Sequence, residues 1–414
     1  MAKQLEDRIR AALRANADAP FIGNEEARGA ATRARRRLTR NGIVAGVVAL
    51  VVVVASVGVI QSVVGAVRPR PAIHPNPPLG LLSRPIVFSP TYHAPYALYA
   101  IKADGTGKTL LTRSCHDDTC GFAGFAVAPN GVRVAFSYYT EKSPAFPAGG
   151  PIYLADPRSG AARALTDCHW NECGDGYPAW SPDGSRIAFV RRESGPRTLL
   201  LVTDVRGSLP VVVASPPGTA DVLTQPTWSP DGRRIAYVEF QQSMPDSPAG
   251  GIYVTNADGT GTSKAVLMDY KDQSVFSVVW SPVGNQLAYD AESGNGGAIG
   301  VIEADGQGHR LLFGPGHTCW GHPTGTVSPP AWSPDGSRLA FVARAGNDSC
   351  AFVVNSDGSG LRRIKAGRVG SGVAWSPDGS LLAIVIDGHL VLVRPDGTVV
   401  RTLAPDSARF GVAW

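Results

Sequence analysis

Two stretches of this chain carry Cys-His-x-x-x-Cys: "CHDDTC" from Cys115 to Cys120 and "CHWNEC" from Cys168 to Cys173. A third stretch, "GPGHTCWGHP", places His317 and His322 on either side of Cys319, and Cys350 completes the set of six cysteines. Thiolate and imidazole are zinc ligands. Neither spacing, however, is that of a zinc finger or of the Cys-x-x-Cys-His haem site. An even cysteine count in an oxidising compartment points instead to disulfides. Proximity suggests Cys115 with Cys120 and Cys168 with Cys173, which leaves Cys319 with Cys350. Six cysteines allow fifteen connectivities, so this pairing is an expectation from nearness alone. No metal and no cofactor are expected.

The same stretches hold residue types suited to contact and to proton transfer. Trp170, Tyr177, Trp320, Tyr138 and Tyr139 are candidate aromatic contacts. Asp117, Asp118, Glu172 and Asp175 make the region acidic. Glu172, Asp175, His169 and His116 could serve as acid or base if any two of them converge.

A repeat must position them. "PAWSPDGSRIAFV" starts at Pro178, "PTWSPDGRRIAYV" at Pro226, "VVWSPVGNQLAYD" at Val278, "PAWSPDGSRLAFV" at Pro330 and "VAWSPDGSLLAIV" at Val373, with a degenerate copy at Phe125. The repeated tryptophans are 48, 52, 52 and 43 residues apart. A period of that length in strand-like sequence signals a propeller or array. The chemistry is that of a hairpin. An apolar strand runs into Ser-Pro-Asp-Gly, where Pro presets φ and Gly relieves the closing position, and a second strand returns. A second hairpin with an Asp-Gly turn, such as "IYVTNADGTGTSKAV" from Ile252, follows each first one. Second hairpins occur seven times and complete first hairpins six times. "RPIVFSP" near Arg84 supplies a returning strand with none before it, and "FGVAW" at Phe410–Trp414 is the one unassigned strand of the missing type. The expected fold is all-β: a seven-bladed propeller of four-stranded antiparallel blades, with strands A to D and the C-terminal strand closing blade one.

"WSPDG", the "IAF/IAY" strand and the Asp-Gly hairpin together resemble the TolB-type propeller repeat. The same repeat is found beside the hydrolase domain of prolyl oligopeptidase-like enzymes and in many bacterial extracytoplasmic proteins. The resemblance covers residues 84–414 and implies the fold. It does not by itself imply an activity, because propellers host binding, scaffolding and catalysis alike. The chain carries no Gly-x-Ser-x-Gly nucleophile elbow.

In such blades the A–B and C–D turns share one face. The B–C and D–A connections share the other, and all the candidate residues above are expected there. Loops of unusual length on a rigid scaffold are where binding usually lives. Turn aspartates on the first face do not repeat with calcium-ligand spacing.

Residues 1–42 hold ten Lys/Arg and five acids, so the whole net charge of +5 sits there and residues 43–414 sum to zero. A basic nucleic-acid binder is thereby excluded for the bulk of the chain. "QLEDRIRAALRAN" near the start has the spacing of a short amphipathic helix. Residues 43–67 contain no charge and suffice for one transmembrane helix. "RARRRLTR" before them predicts a cytoplasmic N-terminus. A cleaved signal peptide would need an n-region of about forty residues, far beyond the usual length. Residues 68–83 are a Pro-rich linker, and residues 84–414 form the propeller outside the membrane. The expected role is a binding or scaffolding module of the cell envelope, with a protein or glycan partner on the loop face. An enzyme acting on a glycan or small molecule at the propeller mouth is the alternative.

Overall fold

The computed structural model describes residues 60–61, 84–89, 97–112, 120–140, 148–169, 173–193, 197–216, 222–240, 250–261, 263–267, 274–293, 296–319, 322–346, 348–404 and 410–414. They form seven blade sheets with antiparallel strand order A-B-C-D and one separate two-stranded hairpin, Thr318–Cys319 with His322–Pro323. Blade three is the plainest: A is Cys173–Trp180, B is Arg186–Glu193, C is Thr198–Asp204 and D is Val211–Ala214.

Each A–B turn is built from its own polar atoms. In blade three Ser181 Oγ donates to Asp183 Oδ1 at 2.5 Å and accepts the Arg186 N–H at 2.9 Å. The Gly184 N–H bonds the Ser181 carbonyl with φ at 70°, a region that favours glycine. Blades four, six and seven repeat the Ser–Asp bond through Asp231, Asp335 and Asp378. These carboxylates are turn ligands.

The strands are apolar on both faces because every blade is covered on both sides. Ile235 packs with blade three and its neighbour Ala236 with blade five. Seven such apolar clusters fill the seven seams between successive blades. The ring closes as expected. Phe410–Ala413 is strand A of blade one and pairs antiparallel with strand B, Ile86–Ser89. Trp414 and Val412 join the seam to blade seven, while Ala413 and Val87 join the seam to blade two. Closure completes blade one and leaves no blade face of the ring uncovered.

Arginines strengthen the seams. Arg186 lies 4.7 Å over the Trp228 ring and donates to the Gly232 carbonyl at 2.7 Å, both in the next blade. Arg234 repeats this over Trp280.

Strands run further into the loop face than the sequence pattern suggested. Tyr138 and Tyr139 belong to strand B of blade two (Val134–Thr140), and Asp175 and Tyr177 to strand A of blade three. Cys350 lies in strand C of blade six (Asp348–Asn355), not in a B–C loop. The reason is pairing. Tyr139 opposes Gly121 and Gly149, Asp175 opposes Arg191, and Cys350 opposes Ala343, so the ladders continue past the apolar core. Strand A of blade six is split into Thr326–Val327 and Ala331–Trp332, because Pro329 and Pro330 have no N–H to donate.

Of the expected transmembrane segment, only Ile60–Gln61 is described. It forms a two-residue strand parallel to strand A of blade two (Cys120–Val127). The rest of residues 1–83 lies outside the described residues. Among the described residues no helix is long and apolar enough to cross a membrane.

Candidate functional site

The loop face of blade three begins with a disulfide, Cys168–Cys173, which closes the short loop entering strand A. Two residues later comes Asp175, 1% exposed. Its carboxylate accepts Arg191 Nε at 2.7 Å, Arg191 Nη2 at 2.9 Å and Thr166 Oγ1 at 2.5 Å. Thr166 in turn accepts the Ile152 N–H of blade two at 2.9 Å. Burial pushes the Asp175 carboxyl up, and the bonds from Arg191 and Thr166 oppose that. The facing carboxylate makes Arg191 hold its proton more firmly. Asp167, on the surface, adds a 3.3 Å contact to Arg191. Asp175 is therefore a buried tie between two blades, with both oxygens taken.

Tyr177 sits at the strand A bulge with φ at 52°. Burial pushes its phenol up to about 12 and the Arg192 guanidinium down to about 10. Tyr138 stacks on Phe122 at 5.2 Å and meets the edges of Phe136 and Tyr153, so it extends the blade-two core. His169 is exposed beside its disulfide. His317 stacks on Phe313 at 4.5 Å, with Nδ1 2.8 Å from the Gly314 carbonyl oxygen, which fixes it in its turn.

The second disulfide, Cys319–Cys350, has both cysteines 0% exposed and joins the connection into blade six to that blade's strand C. Both inferred pairings within the described residues are present. Cys115, Asp117, Asp118, Trp170, Glu172 and Trp320 lie outside the described residues. Cys120, Tyr139 and His322 are placed by their backbone in strands.

One constellation was missed from the sequence. Asp290, 3% exposed, and Glu292 are alternate residues of strand B in blade five (Gln286–Ser293). Burial pushes the Asp290 carboxyl up to about 7 against a bond from Ser277 Oγ, and the Glu292 charge adds to it. Burial also takes Glu292 to about 7, opposed by the Val327 N–H and by Arg344 of blade six. A signal existed. Asp290 stands where blades three, four and six have Val190, Val238 and Val342. An acid at an apolar position of a repeat marks a departure from packing.

Seven blades of this order define a β-propeller, and its repeat identifies the family. Residues 85–318 match the TolB beta propeller domain, PD40, and the chain belongs to that family. No curated protein matches it. Among solved structures, an oligogalacturonate lyase in complex with manganese is 18% identical, with a TM-score of 0.53, over 76% of this chain and 82% of that one. Prolyl oligopeptidase B from Galerina marginata is 12% identical, with a TM-score of 0.53, over 78% of this chain and 51% of that one. TolB from Acinetobacter baumannii is 18% identical, with a TM-score of 0.48, over 67% of this chain. The chain spans 62% of the length of that TolB. At these identities the likeness is one of fold.

Proposed function

We propose that this chain is a membrane-anchored, extracytoplasmic propeller that binds a protein or glycan of the cell envelope on its B–C/D–A face. The observation that carries the reading is where the cross-links lie. Among the described residues Cys168–Cys173 and Cys319–Cys350 both brace the non-repeating end, while the opposite end is held without a disulfide, by repeated Ser–Asp turns and by side-chain bonds between blades. Disulfides belong to an oxidising compartment, and bracing irregular loops lowers the ordering cost of binding. The uncharged residues 43–67 behind an arginine run support the anchor and its orientation, against which stands the pairing of Ile60–Gln61 with strand A of blade two.

The competing reading is an enzyme, since oligogalacturonate lyase and prolyl oligopeptidase share the fold. It would rest on Asp290 and Glu292, whose values near 7 suit proton transfer. Asp290 is 3% exposed and its Oδ1 is taken by Ser277, which favours a structural role. The test is capture from envelope extracts by the full-length chain and by a variant lacking residues 168–173. Loss of a specific partner in the variant supports the proposal. Unchanged capture moves the site off this face, and turnover of an envelope glycan without stable binding favours the enzyme.

A further inference from the structure

The opposite, turn-bearing face holds a device that works at five of the seven seams; in blade three its position is the apolar Val211, opposite Val202, and in blade six it is occupied but unfastened. One residue near the start of strand D reaches across to a carbonyl in the next blade's C–D turn. Arg163 bonds the Val205 carbonyl at 2.6 Å, Lys264 that of Asp305 at 3.5 Å, Arg310 that of Ser356 at 3.2 Å and Arg401 that of Asp104 at 2.6 Å. Thr109 reaches the Arg158 carbonyl at 3.5 Å. All five occupy one register position, opposite Leu154, Val254, Val301, Leu392 and Ala100 of strand C. In blade six that position is Arg362, opposite Val353. Its guanidinium makes no hydrogen bond or ion pair among the described residues.

A groove of about 650 Å³ opens at this seam, within the range of small-molecule sites. Arg362, Arg394 of the next C–D turn and Arg338 all line it. Arg338 is held in place, 4.7 Å over Trp375 and donating to the Gly379 carbonyl at 3.4 Å. Arg394 likewise makes no side-chain hydrogen bond or ion pair among the described residues, and the one charge that both arginines feel is that of Asp396. Val353 and Leu381 give the groove an apolar lining. The carboxylate in it is Asp396. Hydrogen bonds from Thr398, then the charges of Arg362 and Arg394, hold it below the usual carboxylate range.

We infer that the groove between blades six and seven binds a small organic anion bearing phosphate or carboxylate groups. Arg362 and Arg394 grip the oxygens, Arg338 lies behind them, and the apolar lining meets the carbon skeleton. Guanidinium forks suit such oxygens because they can bond two at once. An arginine at the fastening position that is left unfastened is what a ligand site requires and what the other seams lack.

The experiment is calorimetric titration of the purified full-length chain with glucose 6-phosphate, with citrate and with uncharged glucose. Saturable binding of either anion, with none of glucose, is expected. Arg362→Gln and Arg394→Gln should each weaken it roughly tenfold or more. Arg310→Gln, which changes a fastened seam, should leave it unchanged. Asp396→Asn should tighten binding by removing a competing carboxylate, a gain that misfolding does not mimic. Absence of saturable binding by both anions overturns the inference, as does equal affinity in the Arg362 and Arg394 variants.

Discussion

The indole N–H of Trp375 donates to the Ala331 carbonyl at 3.0 Å, tying blade seven to blade six. Trp180, Trp228 and Trp332 make the same bond to Ala126, Ala179 and Val279 of the preceding blade. The indole nitrogens of Trp280 and Trp414 have no partner among the described residues. One repeated residue thus has two energetic states, which permits an internal control. Trp375→Phe strands a buried carbonyl and weakens the stack with Arg338. Trp280→Phe weakens the matching stack with Arg234 but has no indole bond to lose. We expect Trp375→Phe to cost about 1–2 kcal/mol more in urea unfolding. Equal costs would show that the indole bond is not a seam fastener.

The ring closure predicts a global effect from a short deletion. Val412 and Ala413 are 0% exposed and Trp414 is 4% exposed, in seams to two different blades. Removing residues 410–414 deletes strand A of blade one and should cost several kcal/mol, at about 1.5–3 kcal/mol per large buried side chain. Trp414→Phe should be nearly silent by comparison. A truncated chain that melts like the intact one would refute the closure.

The ring was legible because its signals repeat. The tryptophan spacing, the Ser-Pro-Asp-Gly turns and the spare "FGVAW" strand gave the blade number, the fold and the closure. Where strands end was not legible. Asp175 looks like a loop acid in "CGDGYP", yet it pairs with Arg191, sixteen residues away, and disappears from the surface. Spacing identified both described disulfides because nearness in sequence became nearness across one loop or one blade. The Asp290–Glu292 pair was hidden because its departure from the repeat lies inside a strand and not in a loop. The groove at Arg362 was invisible for a deeper reason. Arg163, Arg310, Arg362 and Arg401 read alike in sequence, and only the seam distinguishes fastened from free.

The two disulfides should differ in accessibility and in worth. Cys319–Cys350 closes a separation of 31 residues and is fully buried. Cys168–Cys173 closes a separation of 5 and lies beside exposed His169. Under native conditions a mild thiol should reduce Cys168–Cys173 first, as read by alkylation and mass mapping. Loop-closure entropy gives about 3–4 kcal/mol for the longer link and about 2 for the shorter. Cys350→Ser should therefore destabilise more than Cys173→Ser in urea. The reverse order would mean that the short link carries native contacts beyond its loop.

Asp290 and Glu292 set a stability gradient whose sign is fixed. Their ordinary values are 3.8 and 4.5, and in the fold both stand near 7. Below about pH 4 both states hold these protons and the pair costs nothing. Between about pH 4 and about pH 7 the unfolded chain releases them while the folded chain keeps them, so stability falls as pH rises. Above about pH 7 the loss is complete. Turn aspartates act in the opposite direction. Burial opposes it, but bonds from Ser181 and Ser185 hold Asp183 low, and Asp335 behaves alike, so their stabilisation is lost as pH falls. The raw profile mixes the two, and the difference between variant and parent isolates the pair. Asp290→Asn still offers Ser277 an acceptor and has no proton to lose. It should gain on the parent through the pH 4 to 7 window, reaching at most about 4 kcal/mol at pH 8. A difference curve that is flat, or that favours the parent at pH 8, would mean that Asp290 is held as a carboxylate in the folded protein.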